Sequence, residues 1–230
     1  VSGNRIATAL VSTREQRVTY RGLAENPDQA LIFTPDRVWK QNGKGEIIQF
    51  RDQPRAAFEG HVRDTAWDDL HLIYFAGYAL WQYINFPFML VREGIETREL
   101  DPHHEAGETW RVLEATFHES SGLAVHGKVQ KFYFNRKMVL QRHDYDVWVI
   151  GGASAAHYTF DTVAVGGIPF PTLRRVVARK GEMSLVHVST PSFILLVYHR
   201  IRLHFEEGQG EGEGEGREDV VWERVKSSKI

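Results

Sequence analysis

Apolar and polar positions alternate along most of this chain, or fall in short apolar runs bounded by glycine, proline and asparagine. That texture predicts β-strands joined by tight turns. One stretch differs in kind. Residues 72–91 form a run of 20 residues without a charge. The run predicts a helix over about 67–86, with Thr65 as N-cap and Asp68 and Asp69 in the first turn, where carboxylates favour the positive helix end. Pro87 ends it. Leu70, Tyr74, Gly77, Tyr78 and Trp81 make one face at helical spacing. Phe75, Ala79 and Phe86 make another, with Leu72 and Tyr83 alongside. A helix apolar all round packs on all sides. Its length would suit a bilayer, but the amides of Gln82 and Asn85, the break at Pro87 and the mid-chain position argue against a membrane span.

Before the helix, strands are expected at 17–21 and 30–34, with 6–11 a strand or a short helix. The clearest hairpin joins 37–41 to 46–52 through Asn42, Gly43, Lys44 and Gly45, residue types that tolerate positive φ. After the helix, 91–100 alternates and 101–107 reads as a loop. Strands follow at 110–117, 125–134, 139–150, 156–165 and 168–178, turning at Gly122, near Asn135, at Gly151 and Gly152, and at Gly166 and Gly167. A last hairpin is expected between 183–188 and 193–205. The run 207–216 alternates glycine with glutamate or glutamine and reads as a flexible loop. Residues 220–225 suit a short strand or helix. The sum is a mainly β chain of about ten strands in an antiparallel meander. It would curl into a barrel or half-barrel with the helix against its concave face, as a single domain over 1–230.

Composition narrows the function classes. The chain is 42% hydrophobic and 12% aromatic, with net charge −2 and no cysteine. Disulfides, thiolate catalysis, cysteine-ligated zinc and iron–sulfur clusters are excluded, and a cytoplasmic setting is expected. No basic patch suggests a nucleic-acid partner. His103 and His104 lie near Asp101 and Glu105, but no third histidine follows at metal-ligand spacing, and the acidic run 207–216 lacks a calcium-loop pattern. The paired glycines are hairpin turns rather than phosphate cradles. No metal and no cofactor is therefore expected. Self-association is left open.

The densest polar block inside an apolar strand is His143, Asp144, Tyr145 and Asp146. Alternation puts His143 and Tyr145 on one face, Asp144 and Asp146 on the other. His143 and Tyr145 would offer an acid/base pair for proton transfer. Arg142 and Lys131 would bind an oxyanion, or else lie along the outer face. Tyr74, Tyr78, Trp81, Trp39, His126 and His157 are the candidates to line a cavity for an apolar substrate. A turn centred on Gly152 and Ala153 would set His157 near Trp148 and Tyr145 near Phe160, separating His143 from His157. For each residue the alternative is a purely structural place in the core or at the surface.

A curved meander holding a helix in its mouth resembles the lipoprotein-carrier-like half-barrels and, more loosely, the lipocalins. A second resemblance rests on Trp110, Arg111, Phe117, His126, the blocks 130–134 (QKFYF), 141–147 (QRHDYDV), 156–158 (AHY) and 167–172 (GIPFPT), and Arg174 with Arg175. Over about residues 65–205 this texture resembles uncharacterised microbial proteins and fungal hetero-Diels–Alderases that assemble tropolone sesquiterpenoids. The first resemblance implies a non-catalytic carrier of lipid or lipoprotein acyl chains. The second implies a cofactor-independent enzyme of secondary metabolism. Such an enzyme would dehydrate a hydroxylated precursor to a quinone methide and guide its cycloaddition, aromatic walls holding the reactive conformer.

Overall fold

The structure is a computed structural model, which describes residues 3–24, 26–179, 192, 194–204 and 225–227. Strand alternation is realised in two antiparallel sheets. The smaller holds β2 (Thr8–Val11), β3 (Val18–Arg21), β4 (Ala30–Phe33), β5 (Arg37–Gln41) and β6 (Ile47–Asp52), in sequence order. The larger is built on β7 (Ile95–Glu105), β8 (Glu108–Phe117), β9 (Val129–Phe134), β10 (Leu140–Val147), β11 (Ala153–Val165) and β12 (Ile168–Ala178), each paired with the next. Beyond β12 it continues through β13 (Ile194–Val197) and β14 (Val225–Ser227) to β1 (Gly3–Arg5). Neither sheet closes on itself, so the closed-barrel alternative does not hold among the described residues. The whole of the expected 183–188 strand, the acidic run 207–216 and residues 220–224 lie outside the described residues.

The expected helix is present as α1 (Asp69–Asn85). Its N-cap is Asp68 rather than Thr65. The Asp68 carboxylate accepts from the His71 backbone N–H, and the His71 side chain accepts in return from the Asp68 backbone N–H. Thr65 instead accepts from Val62 N–H, so its hydroxyl closes the preceding turn. No helix among the described residues is long and apolar enough to cross a membrane.

The helix is buried along both flanks. Gly77 lies against Phe33 of β4, at a distance where a β-carbon would overlap the ring. Tyr74 meets Phe33 and Phe58, and the Tyr20 hydroxyl donates to the Ala76 carbonyl at 2.7 Å. Trp81 donates its indole N–H to the carbonyls of Ser12 and Glu15 at 2.8 and 2.9 Å, which ties the β2–β3 connection to the helix. The opposite flank carries Gln82, Tyr83 and Phe86 toward the larger sheet, where Phe86 stacks on Phe132. One apolar core thus includes residues of both sheets and the helix.

Two local differences from the sequence reading bear on the site. The expected loop 101–107 is mostly strand: β7 runs to Glu105, and only Ala106 and Gly107 turn, both at positive φ. Val125 to Lys128 is not strand, and β10 stops at Val147, where a short 3-10 turn (Trp148–Ile150) begins.

Candidate functional site beneath the helix

Strand alternation splits β9–β12 into two faces. The face toward α1 carries Gln130 and Phe132 of β9, His143 and Tyr145 of β10, His157 and Thr159 of β11, and Arg174 and Val176 of β12. All are buried. His126 joins them from the segment before β9. Its carbonyl accepts from Trp148 N–H at 3.1 Å, and the next residue, Gly127, leaves no space for a β-carbon beside the Asp146 carbonyl. That close approach lays the His126 ring flat on Tyr145, with centroids 4.0 Å apart and planes at 8°.

A hydrogen-bonded chain runs through this interior. The Tyr83 hydroxyl bonds His126 Nε2 at 2.7 Å and the Tyr145 hydroxyl at 3.1 Å. The Tyr145 hydroxyl also lies 3.3 Å from His157 Nδ1. His143 Nε2 meets Gln130 Oε1 at 2.6 Å, and Gln82 of the helix donates to the same oxygen. Gln130 in turn donates to the Gly127 carbonyl. Arg174 stands over the Tyr83 ring, its carbon 4.9 Å from the centroid, and donates to the Tyr83 carbonyl at 3.3 Å.

Burial sets the protonation states. Desolvation pushes His126 down to about 3. It also holds His143 and His157 well below the usual histidine range, with neighbouring imidazoles and the Arg174 charge adding to it. Desolvation raises the Tyr83 and Tyr145 phenols. At neutral pH the cluster therefore consists of neutral imidazoles and neutral phenols, able to accept and donate protons but carrying no charge except that of Arg174. Several buried polar atoms have no hydrogen-bond partner among the described residues: His126 Nδ1, His157 Nε2, Gln82 Oε1, the Tyr78 hydroxyl and Arg174 Nε.

A cleft of about 70 Å³ leads from the surface to this cluster. Tyr83 and Arg174 are its buried polar members; Phe86, Phe134, Leu140 and Pro171 wall it. Met138, Thr162 and Pro169 stand exposed at its mouth.

The structure thus brings together His143, Tyr145, His126 and His157, with Tyr78 against His126 at 4.9 Å between rings. The separation of His143 from His157 is corrected: they are direct partners across β10 and β11. Residues 148–152 form the whole connection, because the 3-10 turn takes up three positions that a continuous strand would have paired. Tyr145 accordingly faces Ala155, not Phe160.

Other expected members lie elsewhere. Arg142 is buried on the far face of β10. There it makes two 2.6 Å hydrogen bonds to Asp144 and one of 2.8 Å to Glu105, while the Tyr158 hydroxyl donates to Glu105 and the Tyr133 hydroxyl to Asp144. Lys131 shares that face, in register with Asp144 and Glu114. Trp39 pairs with Phe50 on the smaller sheet and has Arg17 over its ring. Trp81 and Tyr74 face the smaller sheet and the β2–β3 connection. Among the described residues no histidine and acid grouping suits a metal ion. The sequence pattern does not mark Tyr83, Gln82, Gln130 and Arg174 as site residues. The signals were an amide inside an apolar helix and, in β9 and β12, polar side chains two positions from buried Phe132 and Val176.

No family model matches the chain, and no curated protein is similar to it. Among solved structures it is similar to a LolA superfamily protein from Nitrosomonas europaea. The two share 12% identity over 78% of each chain, with a TM-score of 0.43. The functional reading rests on the interior of this chain itself.

Proposed function

We propose that this protein binds a small amphiphilic molecule, apolar along its length and polar at one end, and holds it unchanged as a carrier does. The observation that carries the reading is a set of buried polar atoms without hydrogen-bond partners among the described residues, of which Arg174 Nε lies in the lining of an apolar cleft and the others belong to the same buried cluster. Leaving such a group without a hydrogen bond costs about 1–3 kcal/mol, and a ligand whose polar end reaches them offsets part of that cost. The cleft is narrow. It accepts the end of an extended chain, whereas a fused-ring terpenoid needs a site of about 300 Å³ or more and would require α1 to withdraw.

One observation favours a second reading, an enzyme that moves protons. Tyr83, His126, Tyr145 and His157 form a connected chain of neutral donors and acceptors. Dehydration of a hydroxylated precursor needs a proton delivered to the departing hydroxyl and one removed from carbon, and this chain has groups of both kinds. A quinone methide followed by hetero-Diels–Alder addition is the specific form of that reading.

Native mass spectrometry of the purified protein with a panel of fatty acids, terpenoid alcohols and hydroxylated tropolones separates the readings. Retention of a compound at unchanged mass supports the carrier. Loss of 18 Da from a bound hydroxylated compound on incubation, about one water, supports the enzyme. Failure to retain any member overturns both.

A further inference from the structure

Two arginines are buried in the larger sheet, and they are treated differently. Arg142 is 1% exposed and Arg174 is 2% exposed. Arg142 is neutralised by Asp144 and Glu105. Among the described residues no carboxylate forms an ion pair with Arg174. Its polar contacts are one 3.3 Å hydrogen bond from Nη2 to the Tyr83 carbonyl and the faces of the Tyr83 and Tyr198 rings, at 4.9 and 5.8 Å. Its Nε has no hydrogen-bond partner among the described residues. His143 and His157, on which its charge acts, are neutral imidazoles whose protonation it further disfavours. A buried cation normally sits with a counter-ion, because removing it from water is costly. This one stands at the inner end of the cleft.

We propose that Arg174 is the anchor for an anionic head group, a carboxylate or a group of like geometry, on the apolar ligand that enters the cleft. A guanidinium offers a planar pair of donors that matches a carboxylate. The Nε–H is the donor of that fork left without a partner among the described residues. Phe86, Phe134, Leu140 and Pro171 then line the first carbons of the tail, which leaves past Met138 and Pro169. The ligand class is a monocarboxylate amphiphile rather than a neutral alcohol or an amine. This inference rests on the binding reading above and makes it more specific.

Isothermal titration calorimetry tests it with three probes that share one tail: octanoate, octanol and octylammonium. The wild-type protein is expected to bind octanoate about tenfold or more tighter than octanol, a single charge-assisted hydrogen bond sufficing for that ratio, and to reject octylammonium. Arg174→Gln should bind octanoate and octanol alike. Arg174→Lys should keep part of the preference, since a point charge remains. Octanol binding to the wild type as tightly as octanoate overturns the anchor and leaves the carrier reading standing. So does an octanoate preference that persists in Arg174→Gln. Binding of none of the three to the wild type overturns the anchor together with the carrier reading. The wild-type comparison needs no variant, so it stands even if a substitution unfolds the chain.

Discussion

His143 and His157 stand opposite one another across the β10–β11 pair, their rings 6.0 Å apart and inclined by 28°. Neither bonds the other. His143 turns to Gln130, and His157 to Tyr145. The pair therefore joins two branches of one buried polar network, and α1 closes both through Gln82 and Tyr83. Such a network is stable only while its imidazoles stay neutral.

That condition makes stability depend on pH in a defined sense. The folded-state value of His126 is depressed to about 3, against about 6.5 in the unfolded chain. Between those values the unfolded chain binds a proton that the folded one excludes. Stability is then full above about pH 6.5 and falls as pH drops below it, by about 1.4 kcal/mol per unit from His126 alone. His143 and His157, shifted in the same direction, steepen the fall. Urea denaturation at a series of pH values from 7.5 to about 5, above the main carboxylate range, checks this. A flat profile there would contradict the burial of neutral imidazoles.

Tyr83→Phe removes the hydroxyl shared by His126 and Tyr145 and strands His126 Nε2. A loss of about 1–3 kcal/mol is expected. Leu80→Ala, on the same helix but outside the network, is the comparison; a Tyr83→Phe protein as stable as wild type would show that the hydroxyl bonds are not formed.

The far face of the sheet should behave as structure alone. Arg142→Gln leaves Asp144 and Glu105 without their cation, and breaking a buried pair from one side costs about 3–5 kcal/mol. Where the variant still folds, its affinity for octanoate should match the wild type. A selective loss of binding with intact stability would place Arg142 in the site after all.

Gly77 is required by packing. Gly77→Ala drives a methyl into the Phe33 ring, and such overpacking costs about 1–3 kcal/mol despite the gain in helix propensity. Thermal denaturation followed by circular dichroism would reveal a lowered midpoint; an unchanged or raised one would refute the close approach.

The cap distinguishes two neighbouring residues. Asp68→Ala should cost about 1 kcal/mol through the lost helix cap. Thr65→Ala, whose hydroxyl serves only the preceding turn, should leave the helix end intact. Amide hydrogen exchange at Leu70, His71 and Leu72 reports the difference, and equal protection in the two variants would argue against Asp68 as the cap.

Local chemistry alone determined the β5–β6 hairpin, the existence of α1 and the split of β10 into a His143/Tyr145 face and an Asp144/Asp146 face. Turn residues, an uncharged run and a two-residue period act over a few positions, so one sequence suffices to read them. The tertiary structure decided what those faces meet. Register across β10 and β11 turned on a 3-10 turn that no alternation pattern marks, and it brought His157 to His143. Tyr83 and His126 are 43 positions apart, and Arg174 and Tyr83 are 91. Their contacts depend on how a helix seats between two sheets, which is set by packing of the whole core. Alternation could say that Arg142 and Arg174 lie in strands. Only the packed structure decided that Arg142 has carboxylates within reach, while Arg174 lines a cleft and pairs with none among the described residues.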